Sequence, residues 1–201
     1  MKKIITLLTL ILGLILTSCG SNEGIYTNTG SVGDADSNSG AQSYANDGDA
    51  KIDFSGMSAE LLSGETFDFA DSIESNKVCI INVWATFCGP CIEEMPELNE
   101  IFSENAGDIG VVGICMDCAD ASGNVDDEIL ANAVKIAGDD LKLSYPVVIP
   151  SEEMMTSFLR DVMAVPVTYI VDDKGTVLES FYGKRSKEQF LEITQRYISK
   201  E

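Results

Sequence analysis

The chain has 201 residues, room for one domain with extensions, and 45% of them are hydrophobic, as in an ordinary packed chain. Thirty-three acidic against thirteen basic residues give a formal charge of −20, which argues against nucleic acid as a partner, since phosphates demand Lys and Arg. Histidine is absent, excluding Ser-His-Asp and Cys-His catalysis and histidine metal sites, whereas six cysteines, four of them in two Cys-x-x-Cys pairs, point to thiol chemistry.

In chain order, Lys2 and Lys3 precede a mostly apolar run over 4–16. As a helix this run spans about 20 Å, short of the ~30 Å hydrocarbon core, so it reads as the apolar part of a secretory signal. Leu16-Thr17-Ser18-Cys19 follows and resembles a bacterial lipobox. That resemblance implies a lipoprotein signal peptide over 1–18, lipid on the sulfur of Cys19 and a place on the extracytoplasmic face of the cell membrane. The alternative is an uncleaved anchor with an idle thiol. Gly, Ser, Asn and Asp supply 19 of the 31 residues in 20–50, too little apolar surface to offset the entropy of ordering. Residues 19–56 are therefore expected to be a flexible acidic tether, and 57–201 the folded domain.

Within that domain, 66–69 predicts a short strand. The apolar run VCIINVW over 78–84 suits a central strand covered on both faces. A helix is expected over 91–105 with Pro96 inside it, then a second buried strand over 109–116. Helical periodicity follows over 126–137, a short strand over 145–149 and a short helix over 154–159. A hairpin pairs 168–171 with 177–182 through Asp172-Asp173-Lys174-Gly175, and 187–198 is an amphipathic helix. This order gives an α/β fold with a mixed sheet flanked by helices.

Cys88-Gly89-Pro90-Cys91 follows the first buried strand and opens a helix. The free N–H groups and positive dipole end there stabilise a thiolate. Cys88 is expected to attack a substrate disulfide and Cys91 to resolve the mixed disulfide, so the working group is a redox-active Cys88–Cys91 disulfide with no further cofactor.

Trp84-Ala85-Thr86-Phe87-Cys88-Gly89-Pro90-Cys91, followed by Glu93-Glu94-Met95-Pro96-Glu97-Leu98, resembles the TlpA/ResA branch of the thioredoxin-like proteins, and the resemblance runs from about 64 to 198. It implies a thioredoxin-like fold and an extracytoplasmic thiol-disulfide oxidoreductase. Protein disulfides, such as those of apocytochrome c, would be its substrates, and a membrane thiol transporter its electron donor. The Gly89-Pro90 dipeptide is that of reducing thioredoxins. The resemblance makes Pro166 a cis proline beside the dithiol, with Val165 offering its backbone to an extended substrate; Val167 departs from the small hydroxyl residue usual after that proline. Glu94 falls where the branch places an active-site glutamate, with a solvated first-turn carboxylate as the alternative. Asn82 stands where ordinary thioredoxins carry a buried aspartate. Trp84 is expected beside the disulfide, shaping the docking surface, and Glu93 on the surface.

Cys115-Met116-Asp117-Cys118 lies outside that pattern. Three readings stay open: a second redox pair, a metal site shared with Cys88 and Cys91, or a local disulfide or two idle thiols. Cys79, inside a strand, is expected to be a core thiol. Two other functions compete with the oxidoreductase: a metal-binding or redox-inert binding module, and a thiol peroxidase.

Overall fold

The computed structural model describes residues 52–199. The signal peptide, Cys19 and most of the expected tether lie outside the described residues.

Seven strands form one sheet in the order β2-β1-β5-β4-β3-β6-β7. These are β1 (Ser58–Leu61), β2 (Thr66–Asp68), β3 (Val78–Trp84), β4 (Ile109–Cys115), β5 (Val147–Ile149), β6 (Val167–Asp172) and β7 (Val177–Tyr182). β3 runs parallel to β4 and β4 to β5, while β6 and β7 add antiparallel on one side and β1 and β2 on the other. Every residue of β3 and β4 is buried, as their unbroken apolar sequences require. Alternation sends Cys79, Ile81 and Val83 to one face, against Phe69 and Ile73 of α1 (Phe69–Glu74) and Met154 of α4 (Glu152–Thr156). Ile80 and Trp84 face the other layer, built from α2 (Gly89–Glu104), α3 (Asp127–Val134) and α5 (Lys187–Ile198).

The strand expected over 66–69 stops at Asp68, because the Asp68 carboxylate accepts the Ala70 N–H at 3.1 Å and caps α1. Six-residue α1 and four-residue β1 had no periodic signal; SAEL becomes a strand only because β2 and β5 pair with it. The helix expected over 126–137 is α3, capped by the Asp126 side chain, continuing as a wider turn over Lys135–Asp140. The 154–159 segment divides into α4, capped by Ser151, and a tight turn over Phe158–Asp161. The hairpin forms as expected: Asp172 accepts from the N–H groups of Lys174 and Thr176, and Gly175 takes φ +82°. α5 keeps its expected bounds, closed by a capping box of Ser186 and Gln189.

The domain begins earlier than composition suggested. Phe54, assigned to the tether, is fully buried among Phe69, Phe158 and Tyr169, with ring centroids 6.0, 5.1 and 5.8 Å away. Its N–H donates to Gly175 O at 2.9 Å. One aromatic in a polar segment carries no periodicity, so the sequence did not reveal it. Phe54→Ala should cost about 3–5 kcal/mol, the usual loss for a buried phenylalanine. Urea unfolding checks this, and a fragment starting at residue 57 should be destabilised in the same way.

Candidate active site

Cys88 is the N-cap of α2, and its Sγ accepts the Cys91 N–H at 3.3 Å. The two cysteines are joined in a disulfide, Cα atoms 5.3 Å apart. Pro90 sits in the first turn, where its missing N–H costs nothing. The helix continues through Pro96, which removes one backbone bond. Cys88 Sγ lies 3.6 Å from Val165 O, and the Val165–Pro166 bond is cis, as the resemblance implied. Val165 precedes β6, so its backbone lies beyond the sheet ladder.

Glu94, one turn past Cys91, is not a solvated first-turn carboxylate but is fully buried. Oε1 accepts Asn82 Nδ2 at 2.9 Å and Oε2 accepts the Arg185 N–H at 3.0 Å. Asn82 Nδ2 also donates to Thr168 Oγ1 at 3.2 Å, across the β3–β6 pairing. Burial pushes the Glu94 carboxyl up to about 7, against those two bonds and the cations of Arg185 and Lys184. Glu93 is exposed and pairs with Lys184 at 2.7 Å, as expected of a surface residue. Cys79 is a core thiol, pushed up to about 12 by burial.

The surface beside the disulfide differs from expectation. Trp84 is fully buried, so it supports the site from beneath and offers no docking surface. Val167, which departs from the family pattern, is likewise buried. The exposed rim consists of Phe87, 78% accessible, and Met163, 88% accessible. With Cys88, Gly89, Pro90, Met116 and Val165 they line an open groove of about 390 Å³. Phe87 is legible beside the motif; nothing local marks Met163, which the chain brings in from 76 residues further on.

Cys115 lies directly across the parallel ladder from Trp84, placing the second cysteine pair on the same sheet edge as Cys88. Both its thiols are buried, and Cys118 belongs to the turn Met116–Cys118. The four-thiolate reading does not hold: among the described residues Cys115 and Cys118 group with Asp117, while Cys88 and Cys91 are bonded to each other. Asp117 was not singled out from sequence, yet it accepts both the N–H and the hydroxyl of Thr86.

Comparison with known proteins agrees with this geometry. The Redoxin family model matches residues 47–195. A thioredoxin-like protein of Bacillus subtilis, YneN, is 30% identical over 140 residues, covering 68% of this chain and 75% of that protein. The thiol-disulfide oxidoreductase ResA of Bacillus thuringiensis is 28% identical over 136 residues, 67% of this chain and 70% of that one. Among solved structures, a DsbE-type thiol:disulfide interchange protein of Chlorobium tepidum covers 74% of this chain and 98% of its own, at 22% identity and TM-score 0.56. The lipoprotein thioredoxin Etrx1 of Streptococcus pneumoniae covers 70% and 98%, at 22% identity and TM-score 0.57. The chain belongs to the Redoxin family, as a thiol-disulfide oxidoreductase of the TlpA/ResA-like kind with a thioredoxin fold.

The buried carboxyl has a pH signature. Glu94 titrates at about 7 when folded against an ordinary 4.5, so between those values the folded protein holds a proton that the unfolded chain has released. The stabilisation is full below the lower value and is lost as pH rises through the upper one, by up to about 3 kcal/mol. The oxidised protein should therefore unfold at lower urea at about pH 8 than at about pH 5, and Glu94→Gln should flatten much of that difference.

Proposed function

We propose that the protein is held by a lipid on Cys19 at the outer face of a cell membrane and reduces disulfides in other proteins, apocytochrome c segments among them. Its electrons come from a membrane thiol transporter. The observation that carries this reading is the Cys88–Cys91 disulfide on the N-terminus of α2, opening into an apolar groove beside Val165. Gly89 and Pro90 between the cysteines, as in reducing thioredoxins, favour reduction over oxidation.

In the reduced protein the Cys88 thiolate is stabilised by the Cys91 N–H and the helix dipole. It attacks one sulfur of a substrate disulfide held along Phe87 and Met163, with the substrate backbone against Val165. One substrate thiol leaves, and Cys88 is joined to the other. Cys91 then gives up its proton and attacks Cys88 Sγ, restoring the Cys88–Cys91 bond and releasing the second thiol. Glu94, poised at about 7 one turn along the helix, is the group we assign to take up that proton. A donor dithiol reopens the bond for the next cycle.

The first test is a titration of the Cys88–Cys91 couple in graded dithiol buffers. A potential well below about −220 mV is expected; a value near −120 mV, about that of a strong periplasmic oxidant, would reverse the proposed direction. Cys91→Ser should accumulate mixed disulfides with substrate proteins, and Cys88→Ser should form none. Replacing Phe87 and Met163 together by Ser should raise KM for a protein disulfide and leave turnover of a small disulfide unchanged. Cys19→Ala should move the protein from the membrane to the soluble fraction.

A further inference from the structure

The Cys115–Cys118 pair takes no part in the cycle above. Its sulfurs lie 2.8 Å apart. Two sulfurs sharing a tetrahedral zinc stand about 3.8 Å apart, given Zn–S bonds of about 2.3 Å, whereas a disulfide needs about 2.05 Å. The pair is thus set for bonding to each other rather than for holding a metal. Asp117 stands between these thiols and the active-site loop. Its Oδ1 is shared, accepting from Cys115 Sγ at 3.3 Å and from the Thr86 N–H at 3.1 Å. Its Oδ2 accepts the Thr86 hydroxyl at 2.7 Å and the same Thr86 N–H at 3.0 Å. Thr86 is two residues before Cys88.

The geometry points to a second dithiol–disulfide couple, Cys115–Cys118, whose state is passed through Asp117 to Thr86 of the active-site loop. The oxidant is a small-molecule disulfide. One thiol of the pair releases its proton and attacks the oxidant, whose S–S bond breaks and frees one thiol. The other then releases its proton, attacks the mixed disulfide and frees the second. The Cys115–Cys118 bond forms, and two electrons and two protons end on the oxidant's thiols. The hydrogen bond shared with Cys118, burial and the charges of Cys118 and Asp117 hold the Cys115 thiol well above its usual range, so the exchange waits on opening of the turn. This couple therefore responds slowly to the surroundings instead of turning over. Closing it removes the Cys115 S–H, leaving both oxygens of Asp117 to the Thr86 N–H and hydroxyl alone, which tightens the loop that carries Cys88.

The test uses the full chain with Cys88→Ser and Cys91→Ser, so that only the second couple remains. The protein is equilibrated in oxidised and reduced dithiothreitol mixtures, quenched in acid, denatured, alkylated and mapped by mass. Cys115 and Cys118 should lose alkylation together, in one reversible two-electron transition, with Cys79 alkylated throughout. Thiols that stay free in the most oxidising buffer overturn the proposal, as does a bond that excess reductant cannot open in the folded protein. The same peptides from the unaltered chain give the answer if the double variant does not fold. For the link to the loop, exchange of the Thr86 N–H is measured in both states. It should be slower in the oxidised form, and the difference should vanish with Asp117→Ala; equal rates in the two states of the unaltered Asp117 break the link. Since the first couple is absent from the variant, failure of the reductase reading leaves the mapping result unaffected.

Discussion

The arrangement of the site depends on one buried carboxylate. Glu94 reaches from α2 to Asn82 on β3, and through the same amide nitrogen to Thr168 on β6, while its second oxygen takes the Arg185 N–H. A carboxyl removed from water needs partners for its oxygens, and the two it has come from separate parts of the chain, β3 and the segment before α5. Satisfying them fixes the roll of α2 over the sheet, and that roll sets where Cys88 and Cys91 emerge. The carboxyl that burial holds up at about 7 is thus also a group that positions the dithiol.

The segment just before α5 completes the support. Gly183 donates its N–H to Pro166 O at 2.8 Å, tying it to the cis-proline loop. Lys184 pairs with Glu93, the Arg185 backbone holds Glu94, and Lys187 pairs with Glu100 and Glu104 of α2. The exposed ion pairs contribute little individually. The backbone bonds matter more, because they bring both walls of the groove, α2 and the 163–166 loop, against one short stretch of chain. Phe181 lies beneath it, with the Arg185 guanidinium 4.9 Å from the ring centroid.

Much of this was legible in the sequence, for reasons that differ by element. β3 and β4 are covered on both faces, so their apolar runs announced them, and with the strand–helix order they fixed the edge on which both Cys-x-x-Cys pairs sit. α5 was legible because its apolar stripe and its capping box agree. β1 and α1 were not, because pairing and a single Asp68 cap make them, and neither leaves a periodic trace. The same holds at the site. Cys88, Cys91 and Pro166 stand in a recognisable pattern, whereas Met163 and the Arg185 backbone join it only through the fold. Trp84 misled because an aromatic beside a dithiol reads equally well as surface or as core; the pleat of β3 decides for core, placing it with Ile80 on the face covered by α2.

In the proposed cycle, the absence of histidine gives the burial of Glu94 a chemical point. Thiol–disulfide exchange must move protons on and off sulfur near neutral pH, and the side chain that ordinarily titrates there is missing from all 201 residues. An exposed carboxylate on so acidic a chain would stay ionised and serve only as charge. Burial raises Glu94 to about 7, into the range a histidine would have occupied. The cost appears in stability, since the folded state gives up part of its margin as that carboxyl ionises. Asn82 keeps the cost tolerable: a neutral amide hydrogen-bonds the carboxylate without adding the second negative charge that an aspartate would bring.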